Sequence, residues 1–478
     1  MSTSAVSDYP TDENSRTVDY PPLSEELGGN WARMIRVFGP GIIAASVTVA
    51  TGETIFAPRM GAIFGYTMLW VVTLTVLFKA VQVYTGARYL VLTGEHPMQA
   101  WARLPGPRAW VPILIGVVAI ISFPLWIAAL SDALSSLLVW VTGIGGSSSR
   151  GRTWWGTGII IAAMTFTLLQ TYNIIERASL VILSLKLILV FVAVVIVKPD
   201  WLAVLRGLFV PQMAEHQPWI VASYPEIASR TVWLEIAVLM GTVGGGVQDY
   251  VGYVGLMREK HWGAADRHDN GPVRFNLDPE AVTRGRAWLR APLFDTLFSF
   301  GSVLLITMCF MILGAAVLHP RGLVPTNADL YSQQSQFLGL IHPRLVMVYK
   351  AGIFFAIFGA MYGAFELYTR TVDEPLQAIW PRHSWSLKQL RVAVTLFSGG
   401  GGLLLLWTGW KTVALASIIS PLSGVFGCGL WCWAMIWVER KLLPEPYRMK
   451  KPLLVLTLLA AAAMTVIGGY VTVRSWWS

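Results

Sequence analysis

The chain repeatedly runs for 18 or more positions without a charge, as from Val111 to Leu130 and again from Leu453 to Val473. Inside hydrocarbon no water is available to the backbone, so only helices and closed barrels can cross it. About 20 apolar residues make one helical crossing of a bilayer core roughly 30 Å thick, and the runs lack the strict alternation of a barrel strand. Composition agrees: 55% of the 478 residues are hydrophobic and 13% are charged, against about 25% charged in soluble domains. The fold class expected is an all-α polytopic membrane protein.

Eleven spans are predicted, near 38–61, 66–92, 109–131, 155–171, 176–198, 232–256, 291–318, 344–370, 387–408, 411–438 and 453–473. The acidic, proline-bearing segment 1–37 has no apolar core and reads as a disordered cytoplasmic arm rather than a signal peptide. Residues 199–231 form a long external loop, and 257–290 form a cytoplasmic loop with seven Lys and Arg. With the N-terminus inside, the inner loops and adjoining span ends hold twenty-three Lys and Arg against ten outside. That asymmetry sets the orientation, with a cytoplasmic N-terminus in the cell (inner) membrane. The net charge of +9 is therefore assigned to topology and not to nucleic acid. Cys309, Cys428 and Cys432 all lie in apolar runs and form neither a disulfide framework nor a zinc pattern.

Two spans are interrupted. Thr51-Gly52-Glu53-Thr54 stands about halfway along the first, where a carboxylate costs roughly 2.5–3.5 kcal/mol and needs a partner or a cavity. Gly241-Thr242-Val243-Gly244-Gly245-Gly246 stands in the sixth, although glycine costs about 1 kcal/mol in a helix interior relative to alanine. Spans 1 and 6 each open a set of five. Glycine-broken spans at matching places in two halves mark an inverted-repeat transporter with its site at the midplane. Residues 38–198 would form repeat one (spans 1–5), 232–438 repeat two (spans 6–10), and 453–473 a peripheral eleventh span.

Gly39-Pro40-Gly41, the interrupted first span, and Phe64-Gly65-Tyr66-Thr67-Met68-Leu69-Trp70-Val71 resemble the Nramp family of divalent-metal transporters, with similarity continuing through Gln82 and Gly94. The resemblance implies a LeuT-type (APC-superfamily) 5+5 inverted repeat, alternating access, and transport of manganese or ferrous iron. The ligands differ. Where the family has Asp-Pro-Gly-Asn, this chain has Ala50, Thr51, Gly52 and Glu53; where it has Met-Pro-His, this chain has Gly244, Gly245 and Gly246. Without the thioether the set is one of hard oxygen ligands, which adds magnesium to manganese and iron. The family's acid and its histidine associated with proton movement are missing too, so the resemblance carries metal transport without carrying proton coupling.

The expected metal set is Ala50, Thr51, Glu53, Gly241 and Gly244, with Glu53 as carboxylate ligand or, alternatively, as a cap on the second half-helix. Lys79, Gln82, Thr242, Gln248 and Asp249 are expected along the substrate pathway or in coupling. Lys79 and Gln82 share one face of span 2, and a lysine there would neutralise an acid or snorkel to the interface. Glu235, Asp295, Lys350 and Glu366 read as structural ion pairs or gate residues, and all seven histidines fall outside the apolar cores. No metalloprotease or nucleophile-elbow motif occurs, so an enzyme is not expected and no cofactor is implied beyond the transported ion. The expected partners are the lipid bilayer and a divalent ion, with no nucleic acid; the oligomeric state is left open. The alternative cargo is a small organic or anionic solute, held at half-helix N-termini.

Overall fold

The computed structural model describes residues 17–18, 20–23, 52–145, 149–169, 187–265, 273–326, 330–380 and 386–477. The start of span 1 and the first half of span 5 lie outside these residues. Seven of the described helices are long and apolar enough to cross a membrane. They are Leu69–Thr93 (span 2), Trp110–Thr142 (span 3), the continuous stretch Pro279–Arg321 that contains span 7, Leu345–Ile379 (span 8), Leu387–Trp407 (span 9), Thr412–Lys441 (span 10) and the last helix, span 11. Span 4 is Ser149–Leu169. Leu187–Val197, the end of span 5, bends by 116° into Trp201–Phe209. Asp200 makes that corner, its carboxylate accepting from the N–H groups of Leu202 and Ala203 at 3.0 and 3.1 Å. The predicted external loop thus begins as a helix.

Two spans outgrow their predicted limits. Span 3 runs on to Thr142 and span 8 to Ile379, so Asp132, Asp373 and Glu374 lie within helices. The bundle packs through spans 3, 8, 9 and 10, where Phe123 stacks on Tyr368 at 4.0 Å. Outward faces carry Ile113, Val117, Ile121, Leu404 and Val466, all exposed, as a lipid-facing surface requires.

The two ends of the bundle are tied by charge. Beside the 199–231 connection, buried Arg59 and partly exposed Arg230 flank Glu235 at 3.4 and 2.8 Å. Asp132 meets Arg152 at 2.7 Å and the backbone and hydroxyl of Thr412 at 2.9 Å each. At the opposite end Glu374 lies 3.5 Å from the Arg258 guanidinium, with the His96 ring equally near. Part of the arm expected to be disordered is ordered. Thr17–Val18 pairs as a parallel strand with Arg274–Phe275. The Tyr20 hydroxyl donates to the Leu92 carbonyl, and the Trp288 indole to that of Pro21, each at 2.8 Å.

Candidate cation site at the two helix breaks

The breaks predicted in spans 1 and 6 meet. The described part of span 1 begins as a π-helical turn, Gly52–Phe56, that runs into the helix Ala57–Phe64. Wide turns of this kind are rare and are found frequently at functional sites. Span 6 is split into Val232–Thr242 and Val247–Leu256. Gly244 and Gly245 between them have φ of +76° and +90°, a region in which a residue with a Cβ is strained by about 1–2 kcal/mol. Here the conformation demands the glycines. At Gly52 the reason is contact: a Cβ would sit 2.3 Å from the Thr242 carbonyl oxygen.

The polar groups freed in span 6 find partners from three directions. The Gly244 N–H donates to Glu53 Oε1 at 3.0 Å, and the Gly244 carbonyl accepts from the Tyr250 hydroxyl at 2.6 Å. Lys79 Nζ donates to the Val243 carbonyl at 2.7 Å and to the Gly245 carbonyl at 2.5 Å. The Gly246 N–H donates to Asp249 Oδ2 at 2.7 Å, which caps the second half-helix. Glu53 and Lys79 are both buried, at 0% and 1% exposure. The thiol of Cys428 and the carboxylates of Glu53 and Asp249 all lie within electrostatic reach of the ammonium.

Of the residues picked out in the sequence, Glu53, Lys79, Gly244 and Asp249 come together around the break. Ala50 and Thr51 lie outside the described residues. Gly241 sits at a helix contact, where a Cβ would come within 2.4 Å of Ser420 and would collide with span 10. The Thr242 hydroxyl turns back onto its own helix, donating to the Val238 carbonyl at 2.8 Å. Gln248 supports the cap, its amide donating to Asp249 at 3.0 Å. Gln82 is fully buried, one turn along from Lys79. Glu235 pairs with arginines, Glu366 with Arg391 at 3.0 Å, Asp295 accepts from the Tyr253 hydroxyl, and Lys350 rests 4.3 Å over the Trp140 ring. These four hold the bundle together away from the break.

Two groups carry no signal in the sequence. The Tyr250 hydroxyl reaches the Gly244 carbonyl across the turn made by two left-handed glycines. His96 falls outside the apolar runs, yet it is fully buried beside Glu374 and Arg258. Its Nδ1 accepts from the Met98 N–H at 3.2 Å, so its proton lies on Nε2, directed at the Val251 carbonyl at 3.2 Å. Burial first, and the charge of Arg258 second, hold its pKa well below the ordinary histidine range. Among the described residues no group of three or more His, Cys, Asp or Glu is arranged to hold a metal. Any ion at the break would instead rest on one carboxylate and backbone carbonyls.

The family model described as natural resistance-associated macrophage protein-like matches residues 41–474. Curated relatives include an uncharacterized protein of Pasteurella multocida, 23% identical over 218 residues, covering 45% of this chain and 47% of that one. Metal transporter Nramp6 of Arabidopsis thaliana is 24% identical over 228 residues, 42% of this chain and 38% of that one. The chain thus spans less than half the length of these relatives. Among solved structures, a variant of the Eremococcus coleocola manganese transporter superposes with a TM-score of 0.63 at 13% identity, over 95% of this chain and 88% of that one. Mhp1, a nucleobase-cation-symport-1 family transporter, gives 0.52 at 15% identity, over 92% and 93%. These likenesses establish the LeuT-type fold that the paired breaks predict. With the family match running from the first span through the last, the chain belongs to the Nramp family.

Proposed function

We propose that this protein is a secondary transporter that moves a divalent metal cation by alternating access, with the ion held where the breaks of spans 1 and 6 meet. The observation that carries the reading is the contact of Glu53 with the unwound Gly244, which brings a carboxylate and freed carbonyls together inside a chain of this family. A carboxylate with backbone carbonyls is a hard, oxygen-only donor set, suited to manganese, ferrous iron and magnesium, and the buried thiol of Cys428 stands within electrostatic reach of the same lysine. Glu53 would be the charged ligand. Gly244, and the carbonyls of Ala50 and Thr51, would complete the set, with Gly241 shaping its wall. Asp249, Gln248 and Gln82 would line the inner path.

Alternating access would open the outer end by parting Arg59 and Arg230 from Glu235, and the inner end by parting His96 and Arg258 from Glu374. The excess of basic residues on one side supports a cytoplasmic N-terminus in the cell (inner) membrane. An anionic cargo is disfavoured, because the carboxylates of Glu53 and Asp249 already stand at the N–H groups such a solute would need.

The test is reconstitution into liposomes and measurement of Mn²⁺ and Mg²⁺ influx. The expected result is divalent flux that Glu53→Gln lowers by about tenfold or more, the loss of one charge-assisted ligand interaction of about 1.5–3 kcal/mol. Absence of flux for every divalent ion overturns the reading.

A further inference from the structure

In most unwound membrane helices the freed carbonyls face solvent or cargo. Here the Val243 and Gly245 carbonyls converge on the ammonium of a buried lysine brought in from span 2. The neighbouring groups are also taken: the Gly244 N–H by Glu53, the Gly244 carbonyl by Tyr250, and the Gly246 N–H by Asp249. A cation therefore already stands between two carbonyls, with two carboxylates in reach, and it is covalently tethered. A lysine head group is a compact point charge on a flexible four-carbon stem, so it can withdraw without a change in its helix.

We propose that Lys79 is a tethered stand-in for the cargo. Its ammonium holds the cation position between the Val243 and Gly245 carbonyls, and a divalent ion binds there only by displacing it. This rests on the metal-transport reading of the same site and adds the residue that sets its specificity. A monovalent ion gains nothing over the ammonium in charge and meets it at high effective concentration. A divalent ion doubles the Coulomb attraction to Glu53 and Asp249 and so wins the exchange. The lysine thereby filters by charge. With no cargo bound, it also supplies the positive charge that the freed carbonyls and the two carboxylates require at such depth.

Competition of this kind weakens apparent affinity by the fraction of molecules whose lysine is withdrawn, about tenfold if that fraction is about 10%. The experiment measures Mn²⁺ binding by calorimetry on purified full-length wild type and Lys79→Met, alongside Mn²⁺ flux by wild type in liposomes. Lys79→Gln, which keeps a donor for the carbonyls but no charge, serves should the methionine variant fail to fold. The expected result is an apparent Kd about tenfold tighter in the uncharged variant, with Na⁺ now competing for the site. A lysine that only braces the break predicts the reverse, weaker binding on its removal. Unchanged or weaker binding in a folded variant, with wild-type flux intact, overturns the inference alone. Tight Mn²⁺ binding by the variant, with no flux or binding by wild type, upholds the stand-in and overturns transport. No Mn²⁺ binding by either protein overturns both.

Discussion

Gly241 and Gly244, three residues apart in sequence, are needed for different physical reasons, and substitution separates them. A Cβ on Gly244 meets nothing closer than 3.4 Å, so its alanine variant bears only the backbone strain of a positive φ, about 1–2 kcal/mol. A Cβ on Gly241 would lie 2.4 Å from the Ser420 backbone, so its alanine variant must push spans 6 and 10 apart. Thermal unfolding in detergent is expected to show Gly241→Ala as the more damaging of the two. His96 gives a pH prediction. Its folded pKa is depressed by burial and by Arg258, so below about pH 6.5 an unfolded chain takes up a proton that the folded chain refuses. Stability is intact above that pH and falls as pH drops through it. The unfolding midpoint should decline from about pH 7.5 to about pH 5.5, and His96→Asn should flatten the decline. An equal decline in both proteins removes His96 as its source.

The two broken spans are made for each other at Gly52, which lets the π-helical turn touch the Thr242 backbone. Gly52→Ala is expected to abolish divalent flux while leaving helix content by circular dichroism unchanged, because the clash is between elements and not within one. Farther out, Glu235 holds span 6 to the second half of span 1 through Arg59 and to the connection before it through Arg230. Removing the acid leaves the buried guanidinium of Arg59 unpaired beside that of Arg230, a loss of about 3–5 kcal/mol when a buried pair is broken. Glu235→Ala should therefore lower the unfolding midpoint far more than Glu366→Ala, because the Glu366 side chain is 33% exposed and that of Glu235 only 4%. Similar midpoints for the two would deny Glu235 this role.

For the molecule as a whole, sidedness is the quantity to measure. The native cysteines are buried, so single exposed cysteines placed at Met213 and Leu277 report on opposite faces. In intact cells an impermeant maleimide should label the first and not the second; the opposite pattern would reverse the orientation. The arm tied down through Tyr20, Pro21 and the strand pair with Arg274–Phe275 should protect the inner loops from protease. That protection lapses if Tyr20→Ala frees the arm.

Much of the architecture is legible in the amino-acid sequence. Apolar runs of membrane-spanning length leave the backbone no choice but helices, and glycines beside a carboxylate at mid-span mark where two of those helices must break. The limits of spans 3 and 8 are not legible, because hydropathy ends where charge begins, and Asp132, Asp373 and Glu374 continue as helix once neighbouring spans cover them. Glu53 and Lys79 each declare themselves by the expense of a buried charge, but the groups they serve lie 164 to 191 positions away along the chain. Only packing decided that Glu53 would hold an amide of the broken sixth span, and that Lys79 would sit among its carbonyls. Hydrogen bonding is local in space, and sequence spacing beyond a helical turn carries no such distance.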